Sequence, residues 1–242
     1  MPTFETLGKS PEAYIKYVSA VYPDVPKLVP DYAQQLTTRD AGLLATLRCS
    51  RWSLSHKAVL CGDAVHGIVP FFGQGMNCGF ESVVILRRFL QRHGVSTKER
   101  IASALAAYEA WHKPSGTAIA DMAIENFTEM SYLVGLPEFM AKKHAETVIE
   151  SRFKTKLRSR YHMVTRTLIP YALVQRAGPL VAAAVDEAEQ FCKAHSVTIE
   201  QAPDDVLIKI IDKHFTPFIQ KYKIDLSNPL QEFYPLPKLA AL

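Results

Sequence analysis

Residues 62–82 read GDAVHGIVPFFGQGMNCGFES, a stretch with five glycines, one proline, three phenylalanines and only two acids. Such a run limits what can surround it. The preceding KAVLCGDA (57–64) gives a short apolar segment that stops abruptly at glycine and aspartate, the pattern of a buried strand entering a functional turn. The following GFESVVILRRFLQRH (79–93) has helical spacing, with Val84, Leu86, Phe89 and Leu90 near one face and Gly94 as its stop. Between them, Gly73, Gly75 and Gly79 let the backbone come close to a flat ligand without obstruction by side chains. A helix starting near Met76 would point free N–H groups and its positive end at that ligand, favouring negative charge there. Pro70 fixes the approach of the chain. Asp63 sits where a parallel strand would end, the usual ligand side of an open α/β sheet, and could accept hydrogen bonds from sugar-like hydroxyls. The plainer reading of Asp63 is a turn or capping aspartate.

Several chemistries fit poorly. GQGMNCG has Cys78 where a GxGxxG dinucleotide turn needs glycine. His66 lacks a partner at ligand spacing, so a structural role is expected for it and no metal ligand is assigned. No GxSxG elbow is present. A net charge of +4 without long blocks of one sign does not call for nucleic acid, and the basic KTKLRSRYH (154–162) reads as a solvated helix face. Cys49, Cys61, Cys78 and Cys192 form no CxxC pair, which suggests a reducing compartment. No apolar leader opens the sequence, and its apolar run AGPLVAAAV (177–185) falls well short of the roughly 20 residues that cross a bilayer.

The remaining pattern is mostly helical. Helix is expected over 11–35 with breaks at Pro23 and Pro26, over 98–113 up to Pro114, and again over 116–134. Further helices are expected in PEFMAKKHAETVIESRF, around LIPYALVQRAG, in VAAAVDEAEQFCKAH and in DDVLIKIIDKHFTPFIQKY, whose Leu207, Ile211 and Phe215 form a packing stripe. LLATLRCSRWSL (43–54) could be a strand. The expected fold class is α/β, an α+β remnant followed by a mainly helical C-terminal half.

AVLCGDAVHGIVPFFGQGMNCGFES as a whole resembles the second flavin-binding motif of the FAD-dependent aromatic hydroxylases, G-D-A-x-H followed by proline and a glycine-rich turn. PFFGQGMN and GFE are similar to the kynurenine-hydroxylating members in particular. AIENFTEM (123–130) and YHMVT (161–165) are similar to their Asn-Tyr-x-Glu-Met and Tyr-x-Met-Val-Thr segments, with Phe127 in place of the tyrosine. The resemblance covers roughly residues 1–180. It implies that Asp63 binds the ribityl chain of FAD, and that Gly75, Met76 and Asn77 present backbone N–H groups to the pyrimidine side of the flavin ring. Phe71 and Gln74 would border the substrate, while Asn126 and Tyr161 would hold the amino-acid end of L-kynurenine. The implied reaction is reduction of FAD by NADPH and O2-dependent hydroxylation of the aromatic ring, with no side chain acting as a nucleophile.

The resemblance also implies what residues 1–60 lack: the strand, GxGxxG turn and helix for the ADP half of FAD, and an arginine for the substrate carboxylate. Residues 1–56 then read as the end of a substrate domain, 57–97 as the second FAD motif and its helix, and 98–242 as a helical region. The chain is expected to be the C-terminal portion of such an enzyme, with a separately supplied N-terminal half as a possible complement. The competing expectation is a non-catalytic helical interaction module, or another aromatic-ring flavin hydroxylase. Animal members imply a mitochondrial outer membrane location, and a cytoplasmic one is the alternative.

Overall fold

The computed structural model describes residues 3–233, so the last nine residues of the expected helical region lie outside the described residues. The chain divides into two compact units, Met1–Leu44 and Ala45–Leu242.

In the first unit, helices α1 (Phe4–Leu7), α2 (Pro11–Val21), α3 (Val25–Leu28) and α4 (Tyr32–Thr38) follow one another. Ser10 caps α2 by accepting from the Ala13 N–H at 3.3 Å, with Pro11 at the first helical position where its missing N–H costs nothing. Pro23 and Pro26 break the expected 11–35 helix into short pieces. Tyr14, Val18, Tyr32 and Ala33 form its small core.

The second unit opens with a two-stranded antiparallel ribbon, β1 (Ser53–Leu54) and β2 (Ala58–Val59), registered Ser53 to Val59 and Leu54 to Ala58. The parallel α/β sheet expected here is therefore not formed among the described residues: the AVLC strand shrinks to Ala58–Val59, and residues 43–52 form no strand. Two residues per strand offer too few ladder bonds for a sheet face, so the chain instead buries its apolar residues between helices. α5 (Asp63–His66), a 3₁₀ turn at Pro70–Phe72, and α6 (Gly75–His93) come next. The start of α6 and its end at Gly94 (φ 81°) agree with the sequence expectation.

α7 runs unbroken from Lys98 to Ser131, where two helices separated at Pro114 were expected. Proline removes one backbone bond, but residues on either side of it, Leu105, Tyr108, His112, Ile119 and Met122, are buried, and this packing outweighs the local break. The same holds for α10 (Tyr171–His195), which passes through Pro179. α8 (Pro137–Arg152), α9 (Arg160–Arg166), α11 (Asp204–His214) and α12 (Thr216–Lys221) complete the unit. α7 packs against both α6 and α10, and α10 against α8, α9 and α11. Leu207, Ile211 and Phe215 are buried in the main core, as their stripe predicts. The basic run 154–162 is not a simple solvated helix face. Leu157 in it is buried, and Lys156, Arg158 and Arg160 pair with Asp212, Glu150, and Glu125 and Glu129 respectively.

Candidate functional site

Gly62 begins the site. Its φ of +62° is a conformation that side-chain-bearing residues rarely adopt, and a Cβ there would lie 3.6 Å from the Cα of Gly79. The turn thus rests directly on the second turn of α6, backbone against backbone. The N–H groups of Val65 and His66 bond the Gly62 carbonyl at 3.0 and 3.1 Å, closing the single turn of α5 and leaving Asp63 exposed at its start.

The chain then turns through Pro70–Phe72 and is closed by Gly73, left-handed at φ 67°, whose N–H bonds the Pro70 carbonyl at 2.9 Å. Gln74 is the N-cap of α6 but its side chain does not cap the helix. It is buried, and its Oε1 instead accepts from Asn77 Nδ2 at 3.2 Å and from the Tyr171 hydroxyl at 3.3 Å. The first helical bond runs from the Cys78 N–H to the Gln74 carbonyl at 2.8 Å. The N–H groups of Gly75, Met76 and Asn77 therefore lie outside the helical ladder, at its positive end, on residues that are exposed or half-buried.

The expected substrate residues divide. Asn126 donates from Nδ2 to the Phe71 carbonyl at 2.8 Å, and the Phe71 ring tilts against Phe127 with centroids 4.5 Å apart. Tyr161 is 58% exposed and stacks on Phe72, not on Phe71, at 5.7 Å. Gln74 bonds Tyr171 and borders a cavity of about 520 Å³ shared with Asn77, Phe80, Arg88 and the 164–169 segment.

Sequence reasoning missed the cluster beneath the turn. His66 has partners after all. Its Nε2 lies 2.8 Å from the Ser82 hydroxyl, which lies 2.8 Å from His112 Nε2 and donates to the Cys78 carbonyl at 2.8 Å. The Cys78 thiol is 3.7 Å from His66 Nδ1. Donor atoms of His66, Cys78 and His112 all fall within 4.8 Å of one another, and all three side chains are buried. Such a donor set is of a type that binds zinc or copper, although here both Nε2 atoms are engaged with Ser82. Burial depresses the pKa of His66, and burial with the neighbouring His66 depresses that of His112 to about 3, so both rings are neutral. Burial pushes the Cys78 thiol up, so it keeps its proton. Trp52 covers the cluster, its ring 5.4 Å from His66 and 5.8 Å from His112. Separations of 16 and 30 residues along the chain hide these contacts, and only the odd placement of polar Ser82 on an otherwise apolar helical face hinted at them.

Comparison with known proteins bears on the class of the chain. A family model described as squalene epoxidase matches residues 7–131, just over half of the chain. The chain is 35% identical over 207 residues to a kynurenine 3-monooxygenase of Myxococcus xanthus, an alignment covering 85% of this chain and 42% of that protein. It is 38% identical over 172 residues to the kynurenine 3-monooxygenase of Xanthomonas oryzae, covering 71% and 36%. The Xanthomonas campestris protein of the same name gives 38% over 173 residues, covering 72% and 37%. Matches of both kinds fall among flavin-dependent monooxygenases, the class implied by residues 62–82. The chain belongs to the squalene epoxidase family. It spans about two fifths of the length of the curated relatives it matches. These relatives are bacterial and lend no support to a mitochondrial location. No helix among the described residues is long and apolar enough to cross a membrane.

Proposed function

We propose that this chain supplies the second flavin-contacting half of an FAD-dependent, NADPH-using monooxygenase that hydroxylates L-kynurenine to 3-hydroxykynurenine. The observation that carries the reading is the seating of the Gly62–Asp63 turn on the second turn of α6 at Gly79, with Asp63 exposed and with the N–H groups that open the same helix outside its ladder. These groups fit a flavin. Asp63 is free to accept from ribityl hydroxyls, and the N–H groups of Gly75, Met76 and Asn77 suit the negative charge that a reduced flavin carries on its pyrimidine side. When bound, FAD would supply the electron transfer and oxygen chemistry.

The chain's own residues bind, orient and exclude water. Phe71 and Phe127 form an apolar wall, and Asn126, held by the Phe71 carbonyl, keeps its amide beside that wall. Asn126 and Tyr161 would take the carboxylate end of the substrate, and Gln74 the edge nearest the flavin. The exposed apolar side chains Met76, Phe80, Val83 and Val84 on α6 suit burial by a complementing N-terminal half.

Titrating the purified chain with FAD, alone and with an N-terminal half bearing a GxGxxG turn, tests the reading. Weak or no FAD binding is expected alone, because pyrophosphate contacts are missing. With the partner half, a bound-flavin spectrum and kynurenine-stimulated NADPH oxidation are expected. Neither appearing, with both pieces folded, would leave the non-catalytic module as the better account.

A further inference from the structure

We propose that Ser82 is a positioning residue: its hydroxyl sets the tautomers of His66 and His112 and thereby clamps the Asp63 turn onto α6. That this turn faces a flavin rests on the function proposed above; the clamp itself does not.

Proton accounting carries the inference. A serine hydroxyl has one hydrogen and can accept from two donors. The Ser82 hydrogen goes to the Cys78 carbonyl, one helical turn back, at 2.8 Å. Both imidazoles at 2.8 Å must then donate to the same oxygen, so each carries its proton on Nε2. The His66 Nδ1 lone pair is left facing the Cys78 thiol, a donor that burial keeps protonated. His112 Nδ1 is left as a bare lone pair, in keeping with its having no hydrogen-bond partner. An Nδ1–H tautomer on either histidine would turn an Nε2 lone pair on the Ser82 oxygen, and a protonated ring would set an extra Nδ1 hydrogen against the Cys78 thiol at His66 or without an acceptor at His112.

Three elements meet at this oxygen: α5 through His66, α6 through Ser82 itself, and α7 through His112. α5 is a single turn, too short to hold its own shape, so its orientation comes from tertiary contacts. Its buried side chains are Val65 and His66 alone. Asp63 opens the same turn three residues before His66, so whatever fixes His66 also fixes the direction of Asp63.

The test uses the ¹⁵N-labelled chain without flavin, so failure of FAD binding would refute the flavin reading and leave this one standing. Long-range ¹H–¹⁵N spectra near neutral pH are expected to show both histidines as neutral Nε2–H tautomers; an Nδ1–H or charged form on His66 or His112 would overturn the proposal. In Ser82→Ala two buried donors lose their acceptor, and amide exchange at residues 62–67 is expected to rise roughly tenfold while α10 keeps its protection. Uniform acceleration across the unit, or none at the turn, would overturn it. Should Ser82→Ala not fold, the comparison of His66→Gln with His66→Ala decides. The glutamine side chain can still donate an N–H to Ser82 and should preserve turn protection, whereas alanine should not, and equal behaviour of the two would refute the clamp.

Discussion

His112 makes the stability of this chain depend on pH in a direction that can be worked out in advance. Its imidazole is fully buried and held neutral, with the pKa pushed down to about 3 by burial first and by His66 second. In the unfolded chain a histidine titrates near 6.5. Between those values the unfolded state holds a proton that the folded state refuses, so stability is complete above 6.5 and is lost as pH falls. From pH 7.5 to 5.0 the loss from this one residue is about 2 kcal/mol, and any folded pKa well below 5 gives the same figure. Other groups titrate in the window: the half-buried Glu146, raised by partial burial, acts in the opposite sense, and His66 and His162, lowered, act in the same one. Comparing the native chain with His112→Gln, which keeps an N–H for Ser82 but cannot titrate, cancels Glu146 and His162, whereas His66 shares Ser82 with His112 and needs the same comparison in a His66→Gln background. Urea unfolding followed by tryptophan fluorescence is suited to the measurement, since Trp52 packs edge-on to His112 at 5.8 Å. The native chain should lose about 2 kcal/mol more than the variant over this range. Equal pH slopes would mean that His112 takes up its proton in the folded state, and the reasoning about a sealed neutral cluster would be refuted.

Other substitutions probe neighbouring parts. Gly116→Ala would place a Cβ 2.7 Å from the Trp52 ring, so it should destabilise the unit by about 1–3 kcal/mol and shift tryptophan emission, despite the better helix propensity of alanine; an unchanged urea midpoint would contradict that packing. Asp63→Ala, at an exposed position, should leave stability within about 0.5 kcal/mol yet weaken FAD binding when the partner half is supplied, as read by flavin fluorescence. Arg152 donates to the carbonyls of Ile199 and Ala202 at 3.1 and 2.8 Å and pairs with Asp204 at the start of α11. Arg152→Ala should cost about 1–3 kcal/mol in urea unfolding, with lysine recovering little because it lacks the planar fork.

How much of this was legible in the sequence depended on the range over which each feature is determined. The start of α6 was readable because its cause is local: glycines that free the backbone, followed by apolar spacing and a terminal glycine. The stripe Leu207–Ile211–Phe215 was readable for the same reason. Pro114 misled because a local rule met a non-local opponent, namely a helix buried on several sides whose packing exceeds the loss of one backbone bond, as it also does at Pro179 inside α10. The AVLC strand misled in the opposite way. Its apolar run was real, but a buried strand needs neighbours, and the described residues provide only β1, so the apolar side chains went to helices instead. His66 shows the limit most clearly. The lack of a partner at ligand spacing suggested a structural role, yet its structural partner is a serine on one helix that also holds a histidine from another. Ser82 therefore joins two readings that local sequence kept apart: the glycine turn as an approach surface for a ligand, and the helical remainder as packing. The residues proposed to face a flavin were visible in the motif because their chemistry is written in their own identities. Ser82 was not, because its meaning lies in which atoms it reaches, His66 and His112 and the Cys78 carbonyl.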